Sequence, residues 1–457
     1  MSSFFEVSHR SSRSKARLGE IRTDHGVIKT PSFVAVGTKG TVKTLTPKLV
    51  REIKTQVAFV NTYHLVTHPG ADIIEKAGGI HNYSKLNMPL MSDSGGFQVF
   101  SLAQNNKARQ HNFSHTSFIQ PGVKQSQRKA DVRGEEEPLL VKITEDGVKF
   151  RSIYDGQLIE FTPEKSMEYQ LKIGADVNMA FDECTYYPAT HEYAEKAMKR
   201  THQWLKRCIQ FGAQQRVISS TSPPKGGSPK SLTQKQLSSL PFTNHQSLSA
   251  NRYLYGVIQG ATFEDLRKKS AEFVVSQNTP GVAIGGVSVG ETKKEMRDQV
   301  RWVADYLPKD RPVHLLGVGQ IDDIVDLVKY GIDTFDCVEP TRLARMGVLY
   351  EVRKQNFLSQ RGPLRQAQGK PYPESEKNLF SSPPYEIDIT QSIYKNNLEP
   401  VDVNCDCYTC SNFAKSYLHH LFKQREILGY TLATIHNLWT MERLFEKIRE
   451  MIGNNLI

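Results

Sequence analysis

Eight short apolar runs, most followed by an amphipathic helical stretch, constrain this 457-residue chain more than any other feature. The runs are TPSFVAVG (31–38), VAFVNT (57–62), PLMSDS (89–94) and DVNMAFD (176–182), then YLYGVIQ (253–259), GVAIGG (281–286), VHLLGVG (313–319) and TFDCVEP (334–340). Helical periodicity shows between them in LTPKLVREIK, SMEYQLKIG, TFEDLRKKSAEFVVSQ, TKKEMRDQVRWVADYL and QIDDIVDLVKYG. Strands alternating with helices imply a parallel sheet, and continuous apolar runs imply strands covered on both faces. Eight of them predict an α/β fold of the (β/α)₈ TIM barrel type, with a doubly wound open sheet as the alternative.

Three stretches break this rhythm, near 103–137, 215–250 and 355–382. All are polar and poor in periodic apolar residues, so we expect three flexible insertions. Extra basic arms touching RNA are the functional version of that expectation. The catalytic barrel is expected over residues 1–400 and a metal-binding subdomain with helices over 401–457. No run approaches the roughly 18 apolar residues that a membrane span needs, and the opening residues show no secretory pattern, so a cytoplasmic protein is expected. A hydrophobic share of 38%, with 18 Tyr and 21 Phe, excludes wholesale disorder. The 59 Lys and Arg exceed the 48 Asp and Glu, giving a net charge of +11 that suits a polyanion such as nucleic acid.

Polar residues fall where the runs end. Asp93, Asp182, Gln259, Gly285, Gly286 and Asp336 sit at or just past the predicted C-terminal ends of strands, which converge on one face of a barrel. Carboxylates flanking a glycosidic bond divide the labour: one attacks the anomeric carbon and another moves protons on the leaving group. A carboxylate also recognises the N–H edge of a guanine-like base, because it only accepts. Spacing does not decide which Asp does which. It favours sugar-bond chemistry over Ser or Cys nucleophiles, since no triad context is present. Gly95–Gly96 and Gly285–Gly286 would let main chain approach a flat ligand, or simply make tight turns. GVGQIDD (317–323) suggests a phosphate-binding turn before a helix, without the full dinucleotide fingerprint. Arg342 and Arg345, soon after Asp336, would fix phosphates beside a reacting nucleotide.

Cys405, Cys407 and Cys410 crowd into one loop, which in a reducing compartment points to metal rather than to disulfides. A fourth ligand would close a structural tetrahedral zinc site, with His419, His420 and His436 as candidates left open by spacing.

In order, DSGGFQ, MAFDEC, YGVIQG, AIGGVSVGE, HLLGVG, FDCVEPTRLAR and CDCYTC followed by ATIHN closely resemble the bacterial tRNA-guanine transglycosylases, as do HGVIKTPSFVAVGTKGTVKTLTP and NTYHLVTHPG. The resemblance implies a (β/α)₈ barrel with a zinc subdomain, usually a homodimer. It implies exchange of the wobble guanine of tRNAs with GUN anticodons for 7-aminomethyl-7-deazaguanine, a step toward queuosine, without a cofactor in the chemistry. It casts Asp336 as the nucleophile and Asp93 as the general acid/base. Ser94, Gly95, Gly96, Phe97, Asp182, Gln259, Gly285 and Gly286 join Asp93 in holding the base. One structural Zn²⁺ per chain would sit on Cys405, Cys407, Cys410 and His436. RNA contacts are implied for Gly317, Val318, Gly319, Gln320, Ile321, Asp322 and Asp323, and for Thr341, Arg342, Leu343, Ala344 and Arg345.

Several positions depart from the family pattern. Phe97 stands where Tyr is common, Val287 replaces a Leu, and Glu339, Leu343 and Met346 alter the loop after Asp336, which bears on tRNA affinity more than on chemistry. Val289 matches the bacterial form and favours the smaller incoming base. A barrel N-glycosidase acting on a nucleoside and a catalytically silent RNA-binding paralogue are the competing readings.

Overall fold

In the computed structural model the described residues are 3–96, 139–152, 154, 156–221, 253–351 and 385–457. The bulk of the three expected insertions, and Phe97, lie outside them. Only the start of the second is described: the helix His191–Thr221 runs on past position 215.

The chain opens with an antiparallel sheet of β1 (Phe5–Arg10), β2 (Arg17–Thr23) and β3 (Gly26–Thr30). β4 (Ser32–Val36), β5 (Ala58–Val60) and β6 (Leu90–Ser92) start the barrel. A second antiparallel sheet follows, made of β7 (Leu139–Ile143), β8 (Val148–Arg151) and β9 (Leu158–Phe161). β10 (Val177–Met179), β11 (Tyr253–Ile258), β12 (Gly281–Ile284), β13 (Val313–Leu315) and β14 (Thr334–Cys337) complete the barrel, and β15 (Val348–Tyr350) pairs with β16 (Glu386–Asp388). The eight barrel strands are all parallel and close in the order β10-β11-β12-β13-β14-β4-β5-β6. Each of the eight apolar runs supplies one of them, so the barrel expectation holds. The two three-stranded antiparallel sheets are additions that the run pattern does not reveal.

Strand alternation sorts the side chains into two layers. Val34, Phe59, Met91, Met179, Tyr255 and Val257 share an inner cluster with Phe5, Ile21 and Ile28 of the N-terminal sheet. Phe33 and Phe335 belong instead to the large core shared with the helices, where both rings meet Phe445. The N-terminal sheet is tied to the starts of barrel strands by buried polar contacts. Arg17 grips Asp333, just ahead of β14, with Nε–Oδ1 2.9 Å and Nη2–Oδ2 2.5 Å, and Asp333 in turn accepts from the Val313 N–H. His25 and His81 stack at 3.4 Å and both reach the carboxylate of Asp176, just ahead of β10. That end of the barrel is thereby plugged, and the opposite, C-terminal end is left for chemistry.

A smaller core gathers Ala344, Leu349, Ile387, Val401, Cys407, Cys410, Leu418 and Leu432, residues from both sides of position 401. The helix Ile427–Gly453 joins this core to the barrel: Leu432 and Ala433 pack in the small cluster, and Phe445 and Ile448 in the large one. No helix among the described residues is long and apolar enough to cross a membrane.

Candidate active site

Asp93 follows directly on β6. Its Oδ1 accepts from the Thr62 N–H at 2.6 Å and the Gly95 N–H at 3.3 Å, and Asn61 Nδ2 donates to its Oδ2. Asn61 and Thr62 form the first turn after β5, where Asn61 caps the helix Thr62–Thr67 through His64 N–H. The neighbouring strand thus holds the carboxyl in place. Burial pushes Asp93 up to about 7, against its N–H donors and with help from the charge of Asp182. Gly95 has φ +79°, and a Cβ there would stand 2.7 Å from Phe161 Cε1, so only glycine turns the chain here. Ser94 donates to Asp182, and its own carbonyl accepts from Ser166 of the helix Pro163–Ile173.

Asp182 lies past β10 and is buried. Its Oδ1 accepts from Ser94 Oγ at 2.9 Å and its Oδ2 from Gln259 Nε2, past β11, at 2.7 Å. Burial raises this carboxyl to about 6. Gln259 Oε1 is buried without a hydrogen-bond partner among the described residues. It lies against Gly286, where any Cβ would overlap it and where φ is +60°. The pair of Asp182 and Gln259 therefore presents acceptors beside a bare stretch of backbone, a setting that suits the donor edge of a base.

Asp336 lies within β14, opposite Val34 of β4 in register. Its Oδ1 accepts from the Gly317 N–H at 3.0 Å and from His314 Nε2 at 3.1 Å. Its Oδ2 has no hydrogen-bond partner among the described residues. Asp93, Asp182, Gln259, Gly286 and Asp336 thus all stand at the C-terminal ends of barrel strands.

The segments expected to touch RNA divide by exposure. Gly317 serves Asp336 through its N–H, Val318 and Ile321 are buried, and Gln320 donates to Glu339 at 2.8 Å. Asp322 and Asp323 are engaged by Lys293 and Arg297 in an ion-pair cluster. Thr341 to Arg345 fall on the helix Glu339–Met346: Thr341 and Ala344 are buried, Leu343 packs against the core, Arg345 donates to the Thr341 carbonyl, and Arg342 is exposed.

In the C-terminal region, Cys405, Cys407, Cys410 and His436 place four ligand atoms within 4.8 Å of one another. His436 Nδ1 is 3.7, 3.6 and 3.3 Å from the three sulfurs, close to the roughly 3.6 Å edge of a tetrahedral zinc site with usual bond lengths. Nε2 of His436 donates to the Tyr350 carbonyl at 2.5 Å, fixing the tautomer that leaves Nδ1 free to ligate. Of the other candidates, His419 hydrogen-bonds the Ile389 carbonyl through Nδ1 and His420 is exposed, so the geometry selects His436. This group can hold one metal ion with no position left for water.

Sequence reasoning did not single out Asn61, Thr62, His314, Arg267, Gln299 or Glu291. NTYHL and HLLGVG contained the first three, without a reason to separate them from the strands. Arg267 sits among charged residues on a helix read as amphipathic, with nothing in the sequence to assign it to the buried face, yet it is fully buried.

The family model described as queuine tRNA-ribosyltransferase matches residues 12–130 and 130–456. Proteins bearing that name from Thermoanaerobacter pseudethanolicus and Caldanaerobacter subterraneus are each 38% identical to this chain over 448 residues, covering 98% of it and 93% of the relative. The protein of that name from Halothermothrix orenii is 35% identical over 457 residues, covering all of this chain and 95% of its own. Taken with the closed barrel and the Cys₃His group, these matches make the chain a member of the queuine tRNA-ribosyltransferase family of pentosyl-transferring enzymes.

Proposed function

We propose that this enzyme exchanges the wobble guanine of tRNAs with GUN anticodons for 7-aminomethyl-7-deazaguanine through a covalent link between Asp336 and the ribose. The gathering of Asp336, Asp93 and the Asp182–Gln259 pair at one end of the barrel carries this reading. His314 and Gly317 hold Oδ1 of Asp336, leaving Oδ2 to attack C1′. The new C1′–O bond forms as the C1′–N9 bond breaks, and its electron pair departs on the purine. Asp93, half-protonated near neutrality, gives that purine a proton. In the second half the incoming base passes a proton back to Asp93 and displaces the ester, restoring the carboxylate. Splitting one displacement into two predicts ping-pong kinetics. A loop base is extruded at low cost, because it is stacked weakly compared with a duplex base.

Zinc is the metal that suits three thiolates and an imidazole, and its part is to hold the subdomain together. The base contacts extend to Ser94, Gly95, Gly96, Phe97 and Gly285. Exposed Arg342 and the net charge of +11 support contact with the anticodon stem-loop. Val289 favours the smaller base. A homodimer is supported by apolar and aromatic side chains left exposed on the subdomain, among them Tyr408, Tyr417, Ile427 and Val403.

The test is incorporation of labelled guanine, and of 7-aminomethyl-7-deazaguanine, into GUN-anticodon tRNA. Incorporation abolished by Asp336→Ala, with an RNA–protein adduct on denaturing gels of wild type, is the expected outcome. Release of free base without replacement would point to an N-glycosidase, and exchange persisting in Asp336→Ala would remove the nucleophile.

A further inference from the structure

Arg267, on the helix Glu264–Ser276, is fully buried, and no carboxylate lies within ion-pair distance of it among the described residues. Its guanidinium is spent on oxygens that carry no net charge. Nε donates to the Ala261 carbonyl at 2.7 Å, Nη1 to the Gly285 carbonyl at 2.6 Å, and Nη2 to the Gly286 carbonyl and to Gln299 Oε1, both at 2.5 Å. Burial pulls it down only to about 10, so it stays cationic near neutrality. A buried charge without a direct ion pair is costly even with the Glu291 carboxylate near enough to offset part of it, and an apolar side chain would fill the same space without that cost. Packing therefore does not account for it.

Peptide geometry offers an account. The carbonyl of Gly285 and the N–H of Gly286 belong to one trans peptide, and the carbonyl of Gly286 and the N–H of Val287 to the next. In a trans peptide the two groups point in opposite directions. Arg267 occupies the oxygen side of both, so both N–H groups face away from it. Neither finds an acceptor among the described residues. Gly286 itself lies against Gln259, whose side chain reaches Asp182. A cation on the oxygen end draws electron density from the peptide and makes its N–H a stronger donor.

We propose that Arg267 is a positioning residue that orients and polarises the peptides of Gly285–Val287 into donors for the 6-oxygen of a 6-oxopurine. This deepens the base-exchange reading and rests on it. The base would meet acceptors on Asp182 and Gln259 and donors on the backbone, matching its own N–H and carbonyl groups. As the C1′–N9 bond breaks, negative charge spreads onto the purine carbonyl, so donors already strengthened from behind gain most in the transition state. Gln299 extends the support, since its Nε2 donates to Glu291, whose carboxylate accepts the Ser288 and Val289 N–H groups.

Guanine and 6-thioguanine make the test, because they differ at that one atom and sulfur is the poorer acceptor. Binding of each to metal-loaded wild type, Arg267→Met and Arg267→Lys is measured by calorimetry, with metal content and circular dichroism checking the fold. Guanine affinity should fall about tenfold or more in Arg267→Met, the scale of a lost charge-assisted hydrogen bond. The 6-thioguanine affinity should fall much less, and Arg267→Lys should lie between, carrying the test if Arg267→Met does not fold. Equal losses for both bases, no loss, or a wild type that binds neither would overturn the proposal. Base exchange is scored separately on wild type. Arg267-dependent selectivity without exchange would sink the exchange reading alone, and exchange with Arg267-independent selectivity would sink this inference alone.

Discussion

His314 stands directly behind Asp336, its Nε2 3.1 Å from Oδ1 while its Nδ1 takes the Thr334 hydroxyl at 2.9 Å. Both ring nitrogens are used, which fixes the tautomer and aims one donor at the carboxylate. The imidazole is fully buried, so it has no route to the substrate except through Asp336. Replacing His314 with Ala should lower kcat about tenfold to a hundredfold, on the scale of losing a hydrogen-bond partner that orients a reacting group from behind, with tRNA KM little changed. Single-turnover kinetics of adduct formation would check this, and an equal rise in KM would count against it.

Asp93, raised to about 7 by burial, binds more protons in the folded than in the unfolded chain between the ordinary carboxylate range and neutrality. Its contribution to stability is therefore most favourable at low pH and declines as pH rises through about 7. Denaturant unfolding at pH 5 and pH 8 should show this decline in wild type and a shallower one in Asp93→Asn. The same variant should lose base exchange, and the wild-type exchange rate should peak near neutrality, where acid and base forms are both present.

Gly286 leaves no room for a side chain, because a Cβ there would overlap Gln259 Oε1 at a positive φ. Gly286→Ala should push Gln259 away from Asp182 and raise KM for the base at least about tenfold, the scale of one lost charge-assisted hydrogen bond. Steady-state kinetics with tRNA saturating would measure it, and unchanged base KM would refute this account of the cradle.

Arg17 and Asp333 are both buried, with 4% and 0% of their side chains exposed. Removing the cation strands a carboxylate beneath β14, so Arg17→Ala should cost about 3–5 kcal/mol in urea unfolding. Replacing both partners with apolar residues should cost much less.

Cys407 both supplies a candidate metal ligand and accepts the Cys410 N–H at the start of a helical turn. Cys407→Ser should bind less than the one zinc per chain expected of wild type, measured by elemental analysis, and lose helical signal from the C-terminal region. Wild type treated with a strong chelator should behave alike.

Barrel and metal group were legible because each rests on a local pattern. Parallel strands buried on both faces read as apolar runs, and Cys405-x-Cys407-x-x-Cys410 is compact along the chain. The carboxylates of Asp93, Asp182 and Asp336 stood out as acids ending such runs. What stayed hidden depends on pairings distant in sequence. Arg267 differs from an ordinary helix-surface Arg only because Gly285 and Gly286 fold over it. His314 looks like a polar start to a strand until Asp336 arrives beside it. The choice of His436 over His419 needed Tyr350 and Ile389 in space, and the antiparallel sheet at the plugged end carries no run of its own length in the eightfold pattern.

The helix Ile427–Gly453 bears His436 at one part of its length and reaches Phe33 and Phe335 through Phe445. The layer over β4 and β14 is thus encoded downstream of the cysteines, well after the last barrel strand. During synthesis the ring of strands must wait, unsheathed on that side, until the ribosome has delivered that helix, so a product stalled before it would bare aromatic rings from the heart of the enzyme.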